Sequence, residues 1–85
     1  MMTSEIKHKV REIIASVLEI QPVDIPETPG LPYELSLDSL MILEILVAME
    51  HEFQITIDEQ NALDVLDSLD NATMYLDKKL SSTVG

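Results

Sequence analysis

"LSLDSLMILEILVAME", residues 35–50, opens polar and then gives nine apolar residues in ten from Leu40 to Met49, broken only by Glu44. The run is about half of the roughly 20 residues that a helical bilayer crossing needs, so it reads as a helix of a folded domain rather than a membrane span. Asp38 and Ser39 stand just ahead of it, and either side chain can cap the unpaired amides of a first helical turn. The spacing predicts a helix from Asp38 or Ser39 to about Phe53.

At about 100° per residue, Ile42, Ile45, Leu46, Met49 and Phe53 fall on one side and make a sufficient core stripe. Leu40, Leu43, Val47 and Ala48 are then in excess, lying with Met41, Glu44 and His51 across the flanks and the opposite side. Two readings follow. Neighbouring helices surround this one and bury most of the surplus, or an apolar strip with a few charges stays exposed as a protein-binding surface.

Working outward, Ser4 is placed to cap a first helix, with Ile6, Val10, Ile13, Ile14 and Val17 at helical spacing, over about Ser4 to Glu19. Between Gln21 and Leu37 the chain carries Pro22, Pro26, Pro29, Gly30 and Pro32, a density that forbids a long regular element. Val23, Ile25, Leu31, Tyr33, Leu35 and Leu37 offer apolar anchors, so this segment is expected to be an ordered loop wrapped on the core. After Phe53, "QITID" reads as a link with Ile55 and Ile57 pointing inward, and Asp58 to Leu66 as a short helix or turn. Ser68 is the expected cap of a last helix in which Leu69, Ala72, Tyr75 or Leu76, and Leu80 recur, with "SSTVG" fraying. The expected architecture is all-α: a small antiparallel bundle of three main helices and a minor one, with a long loop between helices one and two, in a single domain spanning 1–85 with a helical core of about 4–80.

Sixteen acidic against five basic residues give a formal charge of −11, which repels phosphate backbones and anionic lipid and favours partners with basic docking patches. Nucleic acid and membrane are therefore poor partners. The chain has no cysteine, which excludes a disulfide framework, a thiolate metal site and a Cys nucleophile. The first residues lack the apolar stretch of a secretory signal, so a reducing, cytoplasmic setting is expected. A serine hydrolase would need a histidine base beside Ser39, yet His51 lies twelve residues along the same helix, about 18 Å by rise alone, and His8 is on another helix. No enzyme is expected. Asp64, Asp67 and Asp70 are spaced by three without the glycine turn and alternating ligands of a calcium loop, so no metal site is expected either.

"LDSL" puts the Ser39 hydroxyl at the positive end of the helix dipole, where a phosphate ester is electrostatically favoured. In physical outline this is a modification site, although the same residues also suit a plain N-cap. The context decides: the chain from residue 4 to residue 80 resembles an acyl carrier protein. That family's pattern is roughly Leu-Gly-x-Asp-Ser-Leu, then an apolar helix with a Glu five residues after the Ser and a closing Glu-x-x-Phe. Leu35, Asp38, Ser39, Leu40, Glu44, Glu50 and Phe53 occupy the matching positions.

The resemblance implies that Ser39 carries 4'-phosphopantetheine, attached by a separate phosphopantetheinyl transferase, and that the arm's thiol holds an acyl group as a thioester. A cysteine-free chain would thereby import its sulfur with the cofactor. Asp38 would complement the transferase site, Leu40 and Met41 would seat the base of the arm, and Leu43, Glu44, Val47 and His51 would form the docking strip. Ile42, Leu46, Met49 and Phe53 are the residues expected to flank any acyl cavity. Ser36 departs from the pattern's Gly. Met41 stands where carriers of bacterial fatty acid synthesis usually have an acidic residue, "DSLM" with "LEIL" looks like polyketide synthase carriers, and His51 replaces a commonly acidic position. The expected function is acyl carriage, as a monomer, in polyketide or mixed polyketide and nonribosomal peptide biosynthesis, with a loading acyltransferase or ligase and a ketosynthase as partners. Type II fatty acid synthesis is the alternative, followed by aminoacyl carriage. An acidic helical adaptor without a prosthetic group is the reading from another class.

Overall fold

The computed structural model describes residues 3–82. Five α-helices follow in chain order: α1 (Thr3–Leu18), α2 (Leu31–Glu34), α3 (Ser39–Phe53), α4 (Ala62–Val65) and α5 (Leu69–Ser82), with 3-10 turns at Pro22–Asp24 and Glu59–Asn61. The described residues form no strand. α1 packs against both α5 and α3. The three long helices and the minor α4 are the bundle the periodicity predicts.

Each long helix buries one stripe. α1 gives Ile6, Val10, Ile14 and Ala15, α3 gives Ile45, Leu46, Met49 and Phe53, and α5 gives Leu69, Ala72 and Leu76. Of the two candidates on α5, Leu76 is the core residue and Tyr75 is half-buried beside it. Burial of each Leu, Ile or Phe side chain contributes about 1.5–3 kcal/mol, so these stripes carry most of the favourable energy of a small fold. Thr73 is buried too, and its hydroxyl donates to the Leu69 carbonyl at 2.7 Å, one turn back.

Several details differ from expectation. Ile42 is only half-buried, because the first turn of α3 lies at the rim of the core rather than over it. Val23 and Tyr33, expected as anchors, are exposed, whereas Ile25 and Leu31 are buried and Leu35 and Leu37 half-buried. The loop contains two short helical pieces, with Pro22 and Pro32 in their first turns, where a missing N–H costs nothing. These pieces turn Val23 and Tyr33 outward. Ser4 lies within α1 rather than capping it. Ser81 and Ser82, expected to fray, are the last residues of α5, while Thr83, Val84 and Gly85 lie outside the described residues.

α1, α2 and α3 end without glycine. Glu19, Ser36 and Gln54 take left-handed φ values of 58°, 53° and 56°. At Ser36 the amide donates to the Tyr33 carbonyl at 3.2 Å and the Leu37 amide to the Pro32 carbonyl at 2.8 Å, the paired bonds of a Schellman stop. This stop aims the chain at the start of α3.

Candidate functional site

Asp38 and Ser39 divide the two tasks that the sequence left open between them. Asp38 is the N-cap of α3: its backbone is extended, its Oδ1 accepts from the Met41 amide at 2.8 Å, and its carbonyl accepts from the Ile42 amide at 3.0 Å. Ser39 is the first residue of the helix, exposed, and its hydroxyl takes no part in the cap. An exposed hydroxyl thus sits at the N-terminus of a 15-residue helix, where the first amides have no intrahelical acceptor.

Beyond Ser39, α3 presents a continuous exposed strip. Leu40 is 63 % exposed, Met41 36 %, Leu43 50 % and Val47 46 %, and Glu44 and His51 are exposed among them. Leu40, Leu43, Val47 and His51 follow one another at three or four residues, so they line one face. The alternative in which neighbouring helices bury this surplus is therefore not what the fold does. The strip ends at an open cleft of about 440 Å³ lined by Val47, Glu50, His51, Gln54, Ile55 and Thr56. On the opposite side, Leu46, Met49 and Phe53 are closed into the core, with Ile42 at its edge.

An exposed serine stands at the head of an apolar helix in an all-helical bundle, and comparison with known proteins decides what this arrangement belongs to. Residues 8–76 match the family described as the phosphopantetheine attachment site. The chain belongs to the acyl carrier protein family.

Among curated relatives, the carrier is 33 % identical to the acyl carrier protein of Afipia carboxidovorans, over 93 % of this chain and 99 % of the relative. It is 32 % identical to the polyketide-8 synthase acyl carrier protein 2 of Streptomyces avermitilis, over 91 % of this chain and 87 % of the relative. A solved structure of the acyl carrier protein from Enterococcus faecalis superposes with a TM-score of 0.73 at 23 % identity, covering 92 % of this chain and 98 % of that one, which is a likeness of fold. Members of the family are carriers rather than catalysts and bear covalently attached 4'-phosphopantetheine. No helix among the described residues is long and apolar enough to cross a membrane.

The carrier's first turn of α3 fits such a group on its own geometry. A phosphodiester needs an accessible oxygen nucleophile, which an exposed N1 serine outside the cap supplies, and the helix terminus favours the added negative charge. Exposed Leu40 and half-exposed Met41 provide apolar surface beside it.

Three acidic residues make structural contacts that sequence reasoning did not assign to them. Glu50 lies in the half-exposed flank of α3, and its Oε2 accepts from the Ile57 amide at 2.8 Å, fastening the link after α3. Glu27 in the long loop is gripped by two cations of α1, Lys7 at 2.6 Å and Arg11 at 3.2 Å, and Lys7 also reaches Asp70 of α5 at 3.2 Å. The hydrogen bonds to Glu27 and then to Asp70 raise the Lys7 amine above its ordinary pKa, and those from Lys7 and then Arg11 hold the Glu27 carboxyl below its own. Asp67, just after α4, accepts from the Gly30 and Leu31 amides at the start of α2. Glu50 stands in the closing Glu-x-x-Phe of the family pattern, Asp67 is one of three evenly spaced acids, and Glu27 carries no motif signal. Lys9 on α1 also pairs with Glu52 of α3 at 3.1 Å, so Glu52 is a bundle contact rather than part of the strip.

Proposed function

We propose that Ser39 is the attachment residue and that the chain, as one carrier domain, presents acyl intermediates as thioesters on its 4'-phosphopantetheine arm to the enzymes of a polyketide or mixed polyketide and nonribosomal peptide pathway. The observation that carries this reading is the exposed Ser39 hydroxyl, freed from capping by Asp38, at the head of the exposed strip. The arm supplies the thiol that the cysteine-free chain lacks.

Each neighbour then has a task. Asp38 fixes the first turn and presents a carboxylate to the transferase, Leu40 and Met41 seat the base of the arm, and Leu43, Glu44, Val47 and His51 are read by partner enzymes. With Glu44 the charge inside the strip, a partner's Arg or Lys is the complementary group, which sets orientation and on-rate more than affinity. The phosphopantetheinyl transferase, a loading acyltransferase or ligase and a ketosynthase are the partners, in the cytoplasm. The close packing of Leu46, Met49 and Phe53 favours an acyl chain that stays outside the bundle rather than in a cavity among these residues and Ile42.

The polyketide assignment is supported by Met41 and His51, which make the strip less acidic, and by the similarity to the Streptomyces avermitilis polyketide carrier. Similarity of the same degree to relatives named simply acyl carrier protein keeps fatty acid synthesis as the second reading. Intact mass after coexpression with a broad-specificity transferase tests attachment: wild type gains the phosphopantetheine mass and Ser39→Ala gains none. The acyl mass on the protein isolated from its host separates the pathways. An acyl chain that retains several unreduced β-keto or β-hydroxy groups supports a polyketide role, and a ladder of saturated chains overturns it.

A further inference from the structure

We propose that Asp67 is a positioning residue for modification at Ser39: it clamps the start of α2 so that the chain arriving at the serine is held in one place. This rests on the reading of Ser39 as the attachment residue. In the sequence Asp67 is one acid in the row Asp64, Asp67, Asp70, with nothing to set it apart. In the fold it is the only member of that row that reaches the segment leading to the site by a described hydrogen bond.

The clamp has two teeth. Asp67 Oδ1 accepts from the Gly30 amide at 3.2 Å, and the Asp67 carbonyl accepts from the Leu31 amide at 2.9 Å. Gly30 has a left-handed φ of 84°, a conformation that a side chain would strain, and this turn brings two consecutive N–H groups onto one residue. Asp67 is itself held: its amide donates to the Asp64 carbonyl at 3.3 Å, and it lies between Leu66 on one side and Ser68 and Leu69 on the other, all buried. The adjacent Ser68 caps α5 through its Oγ, which accepts from the Asn71 amide at 2.9 Å. Asp67 therefore belongs to the rigid junction of α4 and α5.

What it holds would not hold itself. α2 is four residues long, far below the length at which a helix is stable alone. From the clamp, hydrogen bonds run forward without a break. Leu35 N–H donates to Leu31 O at 2.8 Å, Ser36 and Leu37 close the Schellman stop on Tyr33 and Pro32, and Asp38 then caps α3 at Met41. Buried Leu31 pins the same segment from the apolar side. A carboxylate acceptor makes the stronger kind of hydrogen bond, and the Asp67 side chain supplies it to Gly30, the N-cap of α2, next to the Leu31 amide held by the Asp67 carbonyl.

The consequence falls on the transfer step. There the Ser39 Oγ–P bond forms, the P–O bond to the donor's nucleotide phosphate breaks, and the hydroxyl proton leaves to a base of the transferase. That step needs the hydroxyl in line, whereas recognition of the carrier uses the strip on α3, which the clamp does not touch. Loss of the clamp's side-chain tooth, the Oδ1 bond to Gly30 that Asp67→Ala removes while the backbone bond to Leu31 stays, is thus felt in kcat more than in KM.

The test is loading of the full chain by a broad-specificity phosphopantetheinyl transferase with coenzyme A, followed by intact mass, for wild type, Asp67→Ala, Asp67→Asn and Ser39→Ala. Asp67→Ala is expected to lower kcat about fivefold or more, since small misplacements of reacting atoms are costly. KM should stay within about twofold, the pattern of an interaction that matters only at the transition state. Asp67→Asn keeps an Oδ1 acceptor and should recover most of the rate. A wild-type kcat in Asp67→Ala, a loss carried by KM, or an Asp67→Asn as slow as the alanine variant overturns the proposal. Should Asp67→Ala not fold, Asp67→Asn and amide hydrogen exchange decide: slow exchange at Gly30 and Leu31 in wild type supports the clamp, and free exchange at both overturns it. A wild type that gains no mass, or a Ser39→Ala that does, instead refutes the attachment residue and withdraws both readings.

Discussion

The Glu50 side chain, projecting from the last turn of α3, accepts a hydrogen bond from the backbone amide of Ile57 at 2.8 Å. Ile57 is buried, so this bond turns the chain back over the core immediately after the left-handed Gln54. A partly buried, charge-assisted bond of this kind contributes about 1–2 kcal/mol. Glu50→Ala is expected to lose that amount in urea unfolding, and Glu50→Gln, which keeps an acceptor, to lose less than half of it. Equal losses in both would show that packing, not the hydrogen bond, holds the turn.

Ser36 holds a left-handed φ of 53° that Gly adopts freely. The strain for an L-residue is roughly 1–2 kcal/mol, partly offset by the greater entropy that Gly loses on folding. Ser36→Gly should therefore raise stability by about 0.5–1 kcal/mol. Ser36→Val should lower it, because a β-branched side chain tolerates positive φ least. Denaturant midpoints for the pair measure both signs.

The clasp of Lys7 and Arg11 on Glu27 predicts a pH window. Glu27 is held below its ordinary pKa, so its contribution is present above the unfolded carboxylate value and is lost as pH falls through the lower folded value. Lys7 is raised, so its contribution is present below the ordinary amine value and is lost as pH rises through the higher folded one. All these groups are solvent-accessible, so the effect is small and screened by salt. Glu27→Gln should be less stable than wild type at neutral pH in low salt. The difference should close in acid below the ordinary carboxylate range and shrink at high ionic strength. A difference that persists unchanged in acid would show that Glu27 acts through something other than its charge.

Leu43 tests the docking strip. It is half-exposed on the face of α3 away from the core, so Leu43→Ala should change stability by no more than about 0.5 kcal/mol. It should raise KM for the transferase about fivefold if the strip is a binding surface whose centre carries much of the energy. Kinetics at fixed transferase and varied carrier, beside a denaturant curve, separate the two effects.

The sequence carried the bundle because α1, α3 and α5 repeat their apolar residues at three and four. It also points to Ser39 as the proposed attachment residue, because the Asp-Ser-Leu lies where an apolar helix begins and agrees with a pattern spread along the chain. Periodicity gives the direction of a side chain but not where its neighbours stop, which is why Ile42 points toward the core yet lies at its rim. Val23 and Tyr33 face solvent for a related reason: their directions follow from two short helical pieces within a proline-rich loop, which have no period to read. The clamp at Asp67 joins residues 37 apart, and the clasp at Glu27 joins loop to helix. Such pairings arise only when distant segments meet, and nothing local announces them. Helix ends were obscure because left-handed Glu19, Ser36 and Gln54 replace the glycines that usually mark them.

The central claim is that Ser39, and no other hydroxyl, receives the arm. Ser36 lies only three residues away and is also exposed, so a mass gain alone on the whole protein does not separate them. Tryptic digestion of the loaded protein gives a peptide from Glu12 to Lys78 that contains both serines, and fragmentation of that peptide between residues 36 and 39 assigns the added mass. The account predicts fragments unmodified through Asp38 and the full phosphopantetheine mass from Ser39 onward; added mass already present on fragments ending at Ser36 would contradict it.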